Sequence, residues 1–369
     1  MATTTRRRLI ALAGGALATS TAGVAAPSVA RAQSMVKWRL QSSFPKSLEI
    51  VWSGAEVLAR EVKAMSAGRF EIALYPAVGH DESPAAIEAV AAGRVEMCHT
   101  LAAFNIAKDP TFALITAMPF GLDARLITAF NDEQGGKALI NGFLTGHGLV
   151  ALPGGNLGAA MGGWFHREIA MPEDLAGLKI RSTGLAARVL KALGATPVTL
   201  APVDIRGALE RREIDAAHWM GPFDDDAMGL WRAARNYYYP GWWSGGTALH
   251  FLVSSSSHDA LPAELKAILA AAAAVADRHV LARYDAMSTV ALRRLAAGGA
   301  ELRSFPEPVL DAAFKAASET LDAIAAGNAP FKALLQALRR ARADGYLWHQ
   351  VAEHAFSTYM MVQQRKGRL

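Results

Sequence analysis

Residues 178–218 read LKIRSTGLAARVLKALGATPVTLAPVDIRGALERREIDAAH, and their patterning switches repeatedly. Residues 179–182 carry the short apolar run of a strand. Residues 185–193 place Leu185, Val189 and Leu190 on one helical face and stop at Gly194. Residues 198–200 read as a second strand, 204–211 as a second helix and 214–218 as a third strand. Parallel strands need crossover connections, which helices supply. The rhythm therefore predicts an α/β fold with a mostly parallel sheet covered by helices. In open sheets of this kind, ligands bind outside the carboxyl ends of the strands. Arg181 and His218 both fall at such ends.

The same rhythm occurs earlier. Residues 36–41 and 69–75 alternate as strands, 50–65 and 84–92 keep helical spacing, and 95–99 closes the series as a strand. A glycine-rich segment, 152–163 (LPGGNLGAAMGG), lies between the two series and is the expected crossover or hinge. Residues 262–297 contain no internal Gly or Pro; Pro262 suits a first helical turn and Gly298-Gly299 a stop. A helix of that length, about 54 Å at 1.5 Å per residue, spans two lobes. Further helices are expected over 308–326, 331–342 and 346–364. The last spreads Leu347, Trp348, Val351, Phe356, Tyr359 and Met361 around most of its circumference, where a surface helix shows one stripe. It is either buried on several sides or docked on a partner chain.

Arg6-Arg7-Arg8 precedes an apolar run over 9–26, and Ala30-Arg31-Ala32 follows as a small-x-small cleavage signal. That layout is a secretory signal peptide of the twin-arginine type, cleaved after residue 32, and predicts export to the periplasm. The run is interrupted by glycines and rich in Ala, which argues against a retained membrane anchor. The segment holds four arginines and no acids, so the chain's charge of +5 falls to +1 for the mature part. No basic tail then remains to hold nucleic acid. The single cysteine, Cys98, forms neither an internal disulfide nor a multi-cysteine metal site. Removing 32 of 369 residues leaves 337, more than one core usually holds. The expected organisation is one lobe from 33–155 with 247–290, a second from 156–246 with 291–342, and a C-terminal helix over 343–369.

Residues 214–246, IDAAHWMGPFDDDAMGLWRAARNYYYPGWWSGG, pack aromatics and acids around Gly and Pro breaks. Aromatics with polar tips suit a pocket that closes over a small polar molecule. Arg181 can clamp a carboxylate with its planar fork, or be an ordinary surface arginine. Asn156 can orient a ligand oxygen or occupy a turn. His218 can hydrogen-bond a carboxylate; no second His lies at zinc-ligand spacing. Asp224, Asp225 and Asp226 read as a helix N-terminal cluster or a solvated loop rather than a cation site. The chain has no G-x-S-x-G, H-E-x-x-H, Walker A or G-x-G-x-x-G motif.

Several of these stretches carry a family resemblance. They include 93–100 (GRVEMCHT), 118–122 (MPFGL), 156–165 (NLGAAMGGWF), 174–181 (DLAGLKIR), 214–225, 237–243 (YYYPGWW) and the C-terminal YLWHQVAEHAFSTYMMVQQR. Across nearly the whole mature chain, the sequence resembles the DctP-type periplasmic solute-binding subunits of TRAP (tripartite ATP-independent periplasmic) transporters. It resembles the branch that binds 2-oxo acids and related monocarboxylates. The resemblance implies a two-lobed periplasmic binding protein fold that closes on its ligand, Arg181 as the partner of the solute carboxylate, and docking to membrane permease subunits. It also implies a homodimer that exchanges C-terminal helices. The ligand-binding set expected on this basis is Arg181, Asn156, His218, Trp219, Phe104, Gln41, Trp243 and Ser244.

The chain departs from its relatives at two positions. Where they carry acids that help hold a bridging calcium or sodium ion, this sequence has His218 and Ser244. An imidazole and a hydroxyl do not supply the carboxylate charge of such a site, so no metal or cofactor is expected, and His218 is expected to donate to a ligand oxygen. The expected function is capture of a small organic anion by hinge closure, without catalysis. The alternative is a periplasmic lyase on the same fold with His218 as base.

Overall fold

The computed structural model describes residues 35–77 and 85–369; the signal segment and 78–84 lie outside the described residues. The first series folds as β1 (Val36–Ser42), α1 (Glu49–Met65), β2 (Phe70–Tyr75), α2 (Ala85–Ala91) and β3 (Met97–Thr100). α3 (Thr111–Thr116), α4 (Ala124–Glu133) and α5 (Gly136–Thr145) then lead to β4 (Leu149–Asn156). The alternation of β1 buries Trp38, Leu40 and Ser42, and that of β2 buries Phe70 and Ile72. β1 lies parallel to both β2 and β3, as the crossover rhythm requires.

The second series gives β5 (Gly163–Phe165), β6 (Lys179–Arg181), α6 (Gly184–Ala192), β7 (Thr196–Val198), α7 (Pro202–Glu210), β8 (Ala216–Ala217), α8 (Pro222–Met228) and β9 (Asn236–Tyr239). The chain then returns through β10 (Ala248–Ser254), α9 (Ser255–Ala260), α10 (Ala263–Ala297) and β11 (Glu301–Ser304). It ends in α11 (Glu307–Gly327), α12 (Ala329–His349) and α13 (Ala355–Arg365). One sheet has the order β2-β1-β3-β10-β4 and the other β11-β9-β5-β8-β6-β7. β10 is antiparallel to β3 and β4, and β5 to β8 and β9, so each sheet is mixed.

The chain passes between the sheets after β4, after β9 and along α10. α10 packs on both. Leu265, Leu269, Ala272 and Ala276 join the core of the first sheet, while Val280, Tyr284 and Leu295 join a core with Trp164, Ile205 and Tyr237. Gly163 fits its crossover because its φ of +93° suits glycine and a Cβ there would meet Ala217 O at 2.5 Å.

Three expectations change. The strand expected over 198–200 lies at Thr196–Val198. It includes Pro197, tolerated because β7 is an edge strand that pairs only with β6. The stretch 329–342, expected with the second lobe, packs on α3, α4 and α5 of the first, burying Phe331, Leu334 and Leu338 beside Phe112 and Leu144. The helices expected over 331–342 and 346–364 form one rod, α12 running through a wide π turn, Gln350–His354, into α13. Gly345 does not break it: a Cβ there would meet Leu126 Cδ2 at 2.8 Å, so glycine allows α12 to lie close against α4. No described helix is long and apolar enough to cross a membrane.

Candidate functional site

β6 and β8 run parallel, with Arg181 paired to Ala217. Their ends deliver Arg181 and His218 to the same edge of the second sheet. A cavity of about 140 Å³ opens there. The first sheet's side contributes Leu101, Ala103 and Thr116, and the crossovers contribute Leu157, Gly158, Trp243, Ser244 and Thr247. The volume is small beside the ~300–1,000 Å³ of pockets for drug-sized ligands and suits a molecule of a few carbons.

Arg181 is only 2% exposed. Its Nη1 donates to His218 O at 3.1 Å and its Nε to Leu200 O at 3.5 Å. Its guanidinium carbon lies 4.9 Å from the centroid of the Trp219 ring, a cation–π contact that holds the fork in plane. The His218 amide donates back to Arg181 O at 3.0 Å. Burial, reinforced by the Arg181 charge, pushes the His218 imidazole down to about 3, so it is neutral at ordinary pH. The Trp243 ring lies 4.3 Å from that imidazole and is fixed by Nε1 donating to Met161 O at 3.1 Å. His218 Nδ1, Trp219 Nε1 and Ser182 Oγ are buried with no hydrogen-bond partner in the protein. Unpaired buried polar atoms are costly unless a ligand or water satisfies them. Among the described lining residues, Arg181 is the only charged side chain.

Arg181, His218, Trp219, Trp243 and Ser244 therefore share one cavity. The other nominated residues do not line it. Asn156 Oδ1 accepts from Gly158 N at 2.9 Å, so the amide closes a turn. Gln41 Nε2 donates to Ser42 O, Tyr75 O and Pro76 O, tying β1 to the segment after β2. Phe104 packs beside Phe44, with 6.4 Å between ring centroids. Sequence reasoning missed Leu101, Thr116, Leu157, Leu185 and Thr247, which carry no local signal and reach the cavity only through the tertiary fold.

The aromatic stretch is mostly core. Tyr237 stacks on Trp164 at 3.9 Å, and Tyr238 and Trp242 pack in a core with Phe165 and Ile180. The acids after Gly221 are also not a solvated loop. Asp224 and Asp225 are buried in the first turn of α8, and Asp225 Oδ2 accepts from Tyr237 Oη at 2.7 Å and Trp164 Nε1 at 2.9 Å. Burial lifts both carboxyls to about 7. Asp226 faces outward and pairs with Arg294 at 2.7 Å.

An imidazole held down at about 3 is a weak base at neutral pH, which weighs against the lyase reading. Ser244 Oγ is engaged with Thr247 Oγ1 at 2.8 Å. Cys98 is buried in β3, and its thiol is held protonated by that burial.

Comparisons with known proteins identify the family. The family described as DctP, bacterial extracellular solute-binding protein, family 7, matches residues 42–328. A monocarboxylate 2-oxoacid-binding periplasmic protein of Nostoc sp. is 37% identical over 329 residues, 89% of this chain and 90% of that protein. A TRAP transporter solute-binding protein from Bordetella bronchiseptica RB50, solved as a mixed-occupancy dimer with calcium and picolinate, is 35% identical at a TM-score of 0.85. That match covers 90% of this chain and 99% of the other. One from Colwellia psychrerythraea, with bound calcium and pyruvate, is 32% identical at a TM-score of 0.85, covering 88% and 99%. Similarity of this extent, running through both sheets and the long helix, makes the chain a member of bacterial extracellular solute-binding protein family 7, a family of TRAP-type periplasmic solute receptors rather than enzymes.

Proposed function

We propose that this receptor captures a small 2-oxo or 2-hydroxy monocarboxylate. The observation that carries the reading is the buried Arg181 fork, aimed into a small cavity whose described lining has no other charged side chain. The carboxylate pairs with that fork. His218 and Trp219, which line the cavity beside Arg181, face the polar end of the acid. Trp243, Leu101 and Leu157 exclude water, which strengthens the polar contacts. Ligand contacts come from both sides of the crossovers, so the closed arrangement is stabilised by its higher affinity for the acid. The lobes meet near residues 156 and 247. The Nostoc relative's 2-oxoacid name and the pyruvate in the Colwellia structure support this class of solute.

A thermal-shift screen of small acids tests the reading. An acid present at about 100 times its dissociation constant adds ~2.7 kcal/mol of stability. Pyruvate, lactate or a close homologue should raise the melting temperature and be recovered unchanged. Turnover of the acid, or a screen in which only neutral solutes shift the protein, would contradict it.

Delivery requires partners. The reading includes docking of the loaded receptor on TRAP permease subunits, export by the twin-arginine route, and a homodimer built on the α12–α13 rod. The rod leaves Leu347, Trp348, Val351, Phe356 and Tyr359 each more than 60% exposed, an apolar face that one copy leaves uncovered. The dimer described for the Bordetella relative supports a second copy as its cover.

A further inference from the structure

Connections between the two sheets leave after β4, after β9 and along α10, and they converge at Gly155. β4 is an edge strand paired with β10, and the register slips near its end. Leu249 pairs with Gly155 and His250 with Pro153, so Gly154 is an extra residue on β4. An extra residue bends a strand and sharpens its twist. Gly155 has a φ of +133°, and a Cβ there would meet Leu249 Cδ1 at 2.9 Å and Val280 Cγ1 at 3.0 Å. Glycine suits both that dihedral and that close approach of β10 and α10. The Gly155 N–H turns toward α10 and donates to Asp277 Oδ1 at 3.0 Å, one helical turn before Val280. Two residues on, Leu157 N–H donates to Thr247 O at 3.0 Å, tying the first connection to the second. Leu157 and Thr247 both line the solute cavity. Asp277 does not; it lines a separate groove of about 390 Å³ with Asn131, Asn141 and Arg278. Burial holds the Asp277 carboxyl above its ordinary range, the Gly155 N–H works against that rise, and the Asp132 charge adds to it. Drawing a carboxyl out of water is unfavourable, and the bond to Gly155 offsets part of that.

We infer that Asp277 is a positioning residue for solute capture: by holding the Gly155 N–H it pins the first connection to α10 and confines the hinge to the residues just beyond, 156–158. The inference rests on the reading of hinge closure on a small acid. With the pin in place, Leu157 stays in register with Thr247 as the lobes close. Without it, the end of β4 gains orientations in which the two are out of register, and the binding-competent arrangement fills a smaller share of the ensemble. Apparent affinity falls by that share although no contact with the solute is lost. The bond needs an accepting oxygen rather than a charge. An Asn side chain offers the same oxygen without the charge, and Ala offers neither.

The test compares the full mature receptor with Asp277→Ala and Asp277→Asn. Pyruvate is titrated calorimetrically well below the melting temperature, where nearly every molecule is folded. A merely structural role would then lower the melting temperature and leave the dissociation constant alone. Asp277→Ala should weaken pyruvate binding by at least about fivefold, while Asp277→Asn stays within about twofold of the parent. Hydrogen exchange over 152–163 without any acid reads the pin itself. The Gly155 amide should exchange at least about tenfold faster in Asp277→Ala than in the parent or in Asp277→Asn. Equal exchange in all three proteins overturns the inference. So does an Ala variant that binds pyruvate as the parent does, and so does an equal loss in both variants, which would make charge the cause. In each of those cases the parent still binds and the receptor reading stands. A parent that binds none of pyruvate, lactate and picolinate removes that reading and, with it, the role given to Asp277.

Discussion

Arg181 sits where charge, planarity and burial act together. Lys carries the charge but neither the fork nor the stacking on Trp219. Arg181→Lys should therefore weaken binding of every small carboxylate by at least about tenfold, read by calorimetry, with folding intact by circular dichroism. Equal affinity in the lysine variant would reduce the site to a point charge. The buried Asp224–Asp225 pair sets a pH dependence of the opposite sign to the usual carboxylate. Burial raises Asp224 from an ordinary 3.8 to about 7. Between those values the folded state holds more protons than the unfolded one, so the pair's contribution is complete at low pH and is lost as pH rises through about 7. Asp224→Asn should shrink the fall in melting temperature between pH 5 and 8; an unchanged slope would show that the pair is not titrating there. The neutral buried histidines work against it. His99 and His250 are held down to about 4 by burial, so unfolding takes up protons and stability falls as pH drops from about 6.5 toward 4. Arg181 and His218 were legible in the sequence because both end strands of a βα series, and strand ends of a parallel sheet converge. Asn156, Gln41 and Phe104 were not, because a side chain's direction beyond the strand end is set by its hydrogen bonds, and each is engaged elsewhere.

At the scale of elements, helix spacing was the most readable signal. The helix expected over 262–297 forms as Ala263–Ala297, and that expected over 308–326 forms as Glu307–Gly327. Glycine was the least readable, because the same residue ends one helix and permits close packing within another. Gly345 is the second kind. Gly345→Ala should push α12 off Leu126 and cost about 1–3 kcal/mol in denaturant unfolding, despite alanine's better helix propensity. A stabilised variant would mean that the contact relaxes freely. The contact matters beyond α12, because this turn leads into a patch where Tyr346 Oη donates to Gly121 O, His349 approaches Asp123 and Arg125 pairs with Glu353. The far end, α13, has no buried residue.

At the scale of the whole molecule, the sequence showed two α/β units and a helix long enough to join them, since periodicity and length survive without tertiary information. It did not show that α12 returns to the first sheet, because an amphipathic helix fits either lobe and the choice depends on which apolar face is still uncovered. The exposed rod carries a prediction of its own. Truncation after residue 345 should convert a dimer to a monomer in light scattering while leaving the acid-induced thermal shift in place; a full-length chain that scatters as a monomer would contradict the proposed pairing. The central claim is capture of a small acid by one buried guanidinium, and calorimetric titration of pyruvate into the parent receptor and Arg181→Ala tests it most directly. The parent should bind one acid per chain and the variant should lose affinity by more than about a hundredfold, in line with removing a buried guanidinium that pairs with a desolvated carboxylate. Comparable affinity in the two proteins would contradict the account.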